Sequence, residues 1–139
     1  MFLETDDFKE TIKDSILEAV LDDEPDALEE ADKNAKELVA SYLNGIYDTD
    51  SIFSETGADR HPTIVSLVLD IAMYRLHKRI NPRQIPDIRR IGYEDAMSLL
   101  KAIQKRESQP VGLPLAIDDD GNTQFISRFG STPKINHRW

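Results

Sequence analysis

The segment from Pro62 to Asn81 constrains the fold more than any other part of the chain. Apolar residues face nearly every side of a helix built from it, so other parts of the protein must surround that helix. Proline suits the first turn of a helix, and Asn81 ends it because a residue before proline avoids the helical region. Polar residues interrupt the segment, which is too short to cross a bilayer. We therefore predict a central buried helix and no membrane partner.

Helical spacing of apolar residues predicts three further helices. The first follows Thr5 as N-cap and runs to the break at Pro25. The second starts near Asp26 and ends before Gly45, which suits the left-handed position after a helix. The fourth follows the NPRQIP break, with a bend near Gly92 and with its inner face formed by Ala96, Met97, Leu100 and Ile103.

The segment 46–61 joins the second and third helices and is too apolar for a free linker, so we expect it to pack against them. We predict an all-α fold, a compact domain of four to five helices over residues 1–108. Residues 109–139 form an extended tail, in which an Asp-Gly turn allows a short β-hairpin over 115–127.

Charge is unevenly distributed along the chain. Residues 1–50 contain 16 acids and 4 bases, whereas residues 51–110 contain 7 acids and 10 bases. A chain with a net charge of −9 does not bind DNA by neutralising phosphates, which requires a basic face. This separation of acidic from basic residues favours packing of identical subunits, with the acidic face of one against the basic face of the next.

Polar residues on the third helix form the only pattern with catalytic potential. At 100° per residue, Thr63, Asp70, Tyr74 and His77 share one line along the helix. One interpretation is an Asp–His pair, with His77 as base. No nucleophile or oxyanion motif accompanies the pair, and buried polar groups ordinarily bond to one another or to a neighbour. We interpret the chain as a non-enzyme with no catalytic residues, and we assign Asp70 to a subunit contact.

A basic cluster extends from the third helix into the fourth. It lacks the interleaved aromatic residues of a nucleic-acid patch, and part of it complements the C-terminal dipole of the third helix. A nucleic-acid site and a plain solvated face remain alternatives, but a contact with another subunit is the interpretation that we favour. The residues of that predicted contact, besides Asp70, are Arg75, Lys78, Arg79, Arg83, Arg89 and Arg90.

No metal or cofactor site is predicted. The chain has no cysteine, and its three histidines are too dispersed for a zinc site. DTDSIF and DDDGNT lack the oxygens and the glycine of a calcium loop at the required positions, so turns are the expected structures. The tail carries aromatic residues that are costly to leave in water, which suggests that it binds a partner. Its predicted partner-binding residues are Phe125, Arg128, Phe129 and Trp139.

The order of these elements resembles a family of tailed-phage head–tail connector (adaptor) proteins, with relatives in Mu-like phages and prophages. The resemblance covers about residues 1–115. The chain departs from it after the last helix. Relatives tend to have a glycine there, whereas this chain has Glu107 and Ser108. The segments that carry it are MFLETDDF, YLNGIYDTDSIF, RHPTIVSLVLDIAMYRLHKRINPRQIP and RIGYEDAMSLLKAIQKRESQPVGLPL.

This resemblance implies a structural virion protein at the neck, present in the host cytoplasm during assembly. About twelve copies would form a homo-oligomeric ring, closed by a heterologous contact, below the portal protein. The ring would extend the DNA channel and bind the next tail-side neck protein, and double-stranded DNA would pass without sequence-specific binding. Acidic helices that face the channel would repel the DNA. The alternative is a small cytoplasmic helical regulator that binds nucleic acid or a protein partner through the basic stretch.

Overall fold

The structure is a computed structural model that describes residues 1–11, 13, 17–18, 22, 24 and 26–117. These residues contain no β-strand, and isolated bridges join Tyr47 to Asn44 and to Leu115. The predicted all-α fold is therefore confirmed. The named helices in the described part are α1 Thr5–Lys9, α2 Ala27–Leu43, α3 Thr49–Ser54, α4 Pro62–Ile80 and α5 Asp87–Gln104, with a 3₁₀ turn at Gly57–Asp59.

Helix α4 lies at the centre of the domain, as its sequence predicts. It packs against α2 on one side and α5 on another, and α2 also contacts α5. The helix is apolar on most sides, so α2, α5 and α1, which precedes α2, can all pack against it. Its buried residues are Ile64, Leu67, Val68, Ile71, Ala72, Met73 and Leu76.

Helices α2 and α5 follow their predicted patterns. Gly45, just beyond α2, has a φ of +87°, the left-handed conformation that glycine adopts without strain. On α5 the residues Ala96, Leu100 and Ile103 are buried, and Met97 is half-buried against the core. After α5 the left-handed position is taken by Arg106, with a φ of +62°.

The segment 46–61 packs against the helices, with Ile46, Tyr47 and Ile52 buried. It also contains the short helix α3, where the sequence pattern predicts only a packed loop. Asp48 caps this helix: its carboxylate accepts hydrogen bonds from the backbone N–H of Ser51 at 3.2 Å and from the Ser51 hydroxyl at 2.7 Å. These hydrogen bonds lower the pKa of Asp48, and they explain the aspartate in DTDSIF without a metal.

Residues after α5 turn back onto this segment. The backbone N–H of Asp48 donates to the Pro114 carbonyl at 2.8 Å, and that of Ala116 donates to the Ile46 carbonyl at 3.0 Å. Leu113 is buried. Of the hairpin predicted over 115–127, all but the first three residues lie outside the described part of the chain.

The prediction of one continuous helix from Thr5 to Pro25 is wrong. The N-cap is Glu4, α1 ends at Lys9, and Lys13 lies outside any helix. Just beyond α1, the Thr11 carbonyl accepts a hydrogen bond from the Arg89 guanidinium at 2.5 Å, a partner that local spacing cannot reveal. The Thr11 hydroxyl also bonds the Asp7 carbonyl at 3.1 Å, which satisfies an acceptor at the end of α1.

A buried carboxylate on α2 holds the segment that precedes α1. Asp32 is 2% exposed, and its two oxygens accept the backbone N–H groups of Phe2 at 3.0 Å and Leu3 at 2.7 Å. Both of these residues are buried in the core. The carboxylate therefore satisfies two backbone donors that would otherwise be left buried without a partner.

Arg60, just before α4, holds the same segment from the other side. Its guanidinium donates to the Phe2 carbonyl at 3.0 Å and to both carboxylate oxygens of Asp7, at 2.6 and 3.3 Å. It also lies 5.8 Å from the centre of the Phe2 ring, whose edge packs on Phe53 of α3. Residues 2–7 thus connect α2, α3 and the start of α4.

Replacing Asp32 with alanine tests the first of these contacts. Two hydrogen bonds to a charged group are lost and two buried N–H groups lose their acceptor, so Asp32→Ala should lower the free energy of unfolding by about 2–4 kcal/mol. Urea denaturation measures the loss. Glu29→Ala, at an exposed position on the same helix, is the matched control and should change it by less than about 0.5 kcal/mol. Equal effects of the two changes would contradict the assigned role.

The Asp7–Arg60 pair predicts an acid-sensitive step in stability. Burial raises the pKa of Asp7, but the hydrogen bonds from Arg60 and from the Glu4 backbone, with the Arg60 charge, outweigh burial and lower the pKa below its usual value. The pair's contribution is therefore complete above the unfolded pKa, near 3.8, and is lost as the pH falls through the folded pKa.

Asp7→Asn should consequently be less stable than the parent protein above about pH 5, and the difference should shrink as the pH approaches 2. Urea midpoints measured over this range check the prediction. Asp6→Asn is the control, because Asp6 is exposed and contacts only Lys9 among the described residues, at 3.9 Å. A constant difference between Asp7→Asn and the parent at every pH would contradict it.

Candidate subunit interface

The basic cluster predicted over residues 75–90 divides into two groups in the structure. Three of its members make contacts within the chain. Arg79 forms ion pairs with Glu24 and with Glu30 of α2. Arg89 donates to the Thr11 carbonyl, as described above, and Arg90 pairs with Asp87 at 3.3 Å and Glu94 at 3.4 Å along its own helix. Their charges are largely satisfied internally.

The remaining three bases make no ion pair and no side-chain hydrogen bond with any described residue. They are Arg75, Lys78 and Arg83, and all three are exposed. Arg75 and Lys78 line a groove of about 460 Å³ between α2 and the α4–α5 pair. Tyr74 and Tyr93 form one wall, stacked with ring centres 4.2 Å apart and planes 14° from parallel. This groove combines free cations with aromatic surface.

Asp70 lies in a different groove, between α4 and α5, which also contains Asp95. Burial raises the pKa of Asp70, the nearby Arg89 charge lowers it, and the Asp95 charge raises it again, so that its ionised form is disfavoured overall. Gly92 of α5 faces this carboxyl at close range. A side-chain carbon at that position would lie 3.4 Å from Asp70 Oδ1.

The structure does not join Asp70 to His77. The His77 Nδ1–H donates to the Met73 carbonyl at 2.9 Å, one turn back on the same helix. Tyr74 stacks on Tyr93 of α5. Of the predicted polar line, Thr63 and Asp70 share one groove, whereas Tyr74 and His77 have other partners, so the hydrogen-bond geometry of an Asp–His dyad is not formed.

Exposed isoleucines mark the turn between α4 and α5. Ile80, Ile88 and Ile91 are 53%, 72% and 49% exposed. Ile88 and Ile91 are three residues apart on α5 and so share one face of it. We use "isoleucine corner" for Ile80, Arg83, Ile88 and Ile91.

The apolar periodicity did not lead to a prediction of this corner, although the position of Ile91 on α5 indicates it. At 100° per residue, Ile91 is at least roughly 120° around α5 from Ala96, Leu100 and Ile103. An isoleucine so far from the buried face of an amphipathic helix is a surface residue, and with the exposed Ile80 and Ile88 it forms a patch near one turn.

A second surface, which we call the α2–α3 groove, also escaped the sequence analysis. It encloses about 350 Å³. Its apolar floor comes from Ala40 of α2 and Phe53 of α3, while Glu37 and Asp50 provide acidic sides and Lys36 one basic side. The adjoining segment 48–59 contains four acids and no base. This end of the molecule is therefore acidic.

The partner-binding residues predicted in the tail, namely Phe125, Arg128, Phe129 and Trp139, lie outside the described residues. Within the described part of the chain, no group of three or more histidine, aspartate or glutamate side chains is placed to hold a metal ion. No helix found there has the length and apolar character to cross a membrane.

The raised pKa of Asp70 leads to a testable prediction. Because folding disfavours its ionised form, the carboxylate weakens the folded state above the unfolded pKa near 3.8 and has no effect when protonated in both states. Asp70→Asn should therefore be more stable than the parent at pH 7 and equally stable near pH 2.5. Thermal unfolding at both pH values measures this. Asp87→Asn, an exposed control on α5, should show no such gain.

Comparison with known proteins identifies a family. Neither a curated protein nor a solved structure matches the chain. A family model does match, and it spans residues 2–123, nearly the whole length. That model is described as Bacteriophage Mu, Gp36, and the chain therefore belongs to this bacteriophage protein family.

Proposed function

We propose that this phage protein is a head–tail connector (adaptor) subunit, a structural component of the virion neck. Copies of the chain assemble as a ring below the portal protein, extend the DNA channel and present a surface to the next tail-side protein. The observation that carries the proposal is the match of residues 2–123 to a bacteriophage family, on a chain whose fold is all-α. Its sequence resembles that of known connectors.

The surface supports assembly into a ring. One end of the helices carries the isoleucine corner and the bases Lys78 and Arg83, which make no ion pair with any described residue. The α2–α3 groove and its acidic surroundings lie on another part of the surface. Unlike surfaces on one subunit favour a heterologous contact, which closes into a ring when its rotation divides the circle.

The charge supports passage of DNA without binding. Residues 1–50 hold 12 more acids than bases. Exposed acids on α1 and at the start of α2, such as Asp6 and Glu29, would repel phosphate groups if they face the channel. In this proposal Asp70 and His77 have packing roles and no catalysis is assigned to the chain.

Electron microscopy of the phage neck tests the proposal. Virions labelled with antibody against this chain should show the label at the tail-side end of the portal, and the chain mixed with its phage's portal protein should add a ring there. Antibody against the portal is the positional control. Absence of the chain from the virion neck would overturn the proposal.

A second candidate function is regulation through nucleic-acid binding. The specific observation in its favour is the groove that places Arg75 and Lys78 beside the stacked Tyr74 and Tyr93, since bases of single strands stack on aromatic side chains within basic grooves. Fluorescence anisotropy with single- and double-stranded DNA at 20 mM and 200 mM salt distinguishes the two. The connector proposal expects no saturable binding to either, whereas a regulator would bind and lose affinity with salt.

A further inference from the structure

We infer that the isoleucine corner of one copy docks in the α2–α3 groove of a second copy of this chain. The inference rests on the proposed ring and names the two surfaces that form it. It replaces the broader expectation that all bases between residues 75 and 90 meet the neighbour, because Arg79 and Arg89 are already held within their own chain.

The isoleucine corner has the composition of an interface centre. Ile88 is 72% exposed and shares its face of α5 with Ile91, and Ile80 lies at the other side of the same turn. Burying such side chains is a main source of association energy, and a fringe of charge gives the contact direction. Arg83, in the turn itself, supplies that fringe and makes no ion pair with the described residues.

The α2–α3 groove provides an apolar recess with acidic residues beside it, which the isoleucine corner lacks. Its apolar lining comes from Ala40 and Phe53, and its charged lining is two acids, Glu37 and Asp50, against one base, Lys36. Neither acid makes an ion pair with a described residue. An isoleucine entering the groove would meet the apolar floor, and a base beside it would meet the acidic sides. The two surfaces are complementary in both polarity and charge.

The position of the surfaces in the fold makes the contact heterologous. The ion pair between Arg79 and Glu30 places the end of α4, and so the isoleucine corner, beside the first half of α2. The groove begins at Lys36 and extends to Ala40 and α3. At 1.5 Å per residue, Ala40 lies about 15 Å further along α2 than Glu30. Corner and groove therefore occupy different ends of α2, and one copy can offer its corner to one neighbour and its groove to another.

Disulfide trapping tests this contact directly, because the parent chain has no cysteine. Purified Ile88→Cys and Ala40→Cys proteins are mixed in equal amounts with the phage's portal protein and oxidised with copper phenanthroline. We expect a mixed dimer, at roughly ten times the yield of the control pair Gln104→Cys with Ala40→Cys, since docking raises the effective thiol concentration. The double variant Ile88→Cys/Ala40→Cys should give a ladder of oligomers.

Dimers formed by Ile88→Cys alone would indicate a twofold contact and overturn the inference, as would equal yields from the test and control pairs. A ring seen at the portal without the mixed dimer would overturn these surfaces but leave the connector function intact. Conversely, a ladder from a chain that is absent from the virion neck would support the contact and overturn the function.

A second variant separates docking from folding. Ile88→Lys changes an exposed side chain, so the variant should unfold like the parent in urea, yet it should weaken ring formation roughly tenfold or more because an apolar contact is replaced by a charge. Val111→Lys is the matched control, since Val111 is 90% exposed and outside the isoleucine corner. Equal ring formation by the two variants would overturn the inference.

Discussion

The rest of the fold depends on one buried carboxylate, that of Asp32. It accepts the backbone N–H groups of Phe2 and Leu3, which places two apolar side chains in the core and fixes where α1 begins. Arg60 then reaches Phe2 and Asp7 from the opposite side. A charge in the interior is costly without partners, but here each carboxylate oxygen has a donor. The result is a segment that joins α2 to the start of α4 through polar bonds in a mainly apolar core.

The internal contacts also decide which charges remain for a partner. Arg60, Arg79 and Arg89 look much like the other bases in sequence, yet each holds a distant part of its own chain. Lys78 and Arg83 make no such contact among the described residues and lie near the exposed isoleucines. Surface charge that is not used for folding acts mainly on orientation and rate of association. Two cations without an internal partner and three exposed isoleucines therefore lie around the turn between α4 and α5, although Met1, Val111 and Ile117 are also exposed.

Periodicity was sufficient to predict the long helices because their apolar residues recur at helical spacing. Helix α4 begins at Pro62 and ends before Asn81 as its sequence indicates, and the left-handed Gly45 follows α2. Periodicity failed where distant polar contacts decide the structure. The Thr11 carbonyl, just beyond α1, bonds to Arg89, 78 residues away, and no local pattern carries that information. The candidate interface was predicted only in part for the same reason: sequence shows which residues are basic, but not which acids already neutralise them.

In the isolated domain, burial disfavours the ionised form of the Asp70 carboxyl. This carboxyl is half-buried between α4 and α5, close to Gly92, and burial raises its pKa. A neutral side chain would serve the isolated domain better. Exposed isoleucines likewise add no stability to an isolated copy, because burying them requires another surface. Both features become intelligible if the stable form of the protein is a ring, in which neighbouring copies cover the apolar corner and bring further charges to the grooves. If such a ring forms, contacts between copies contribute part of the free energy that stabilises it.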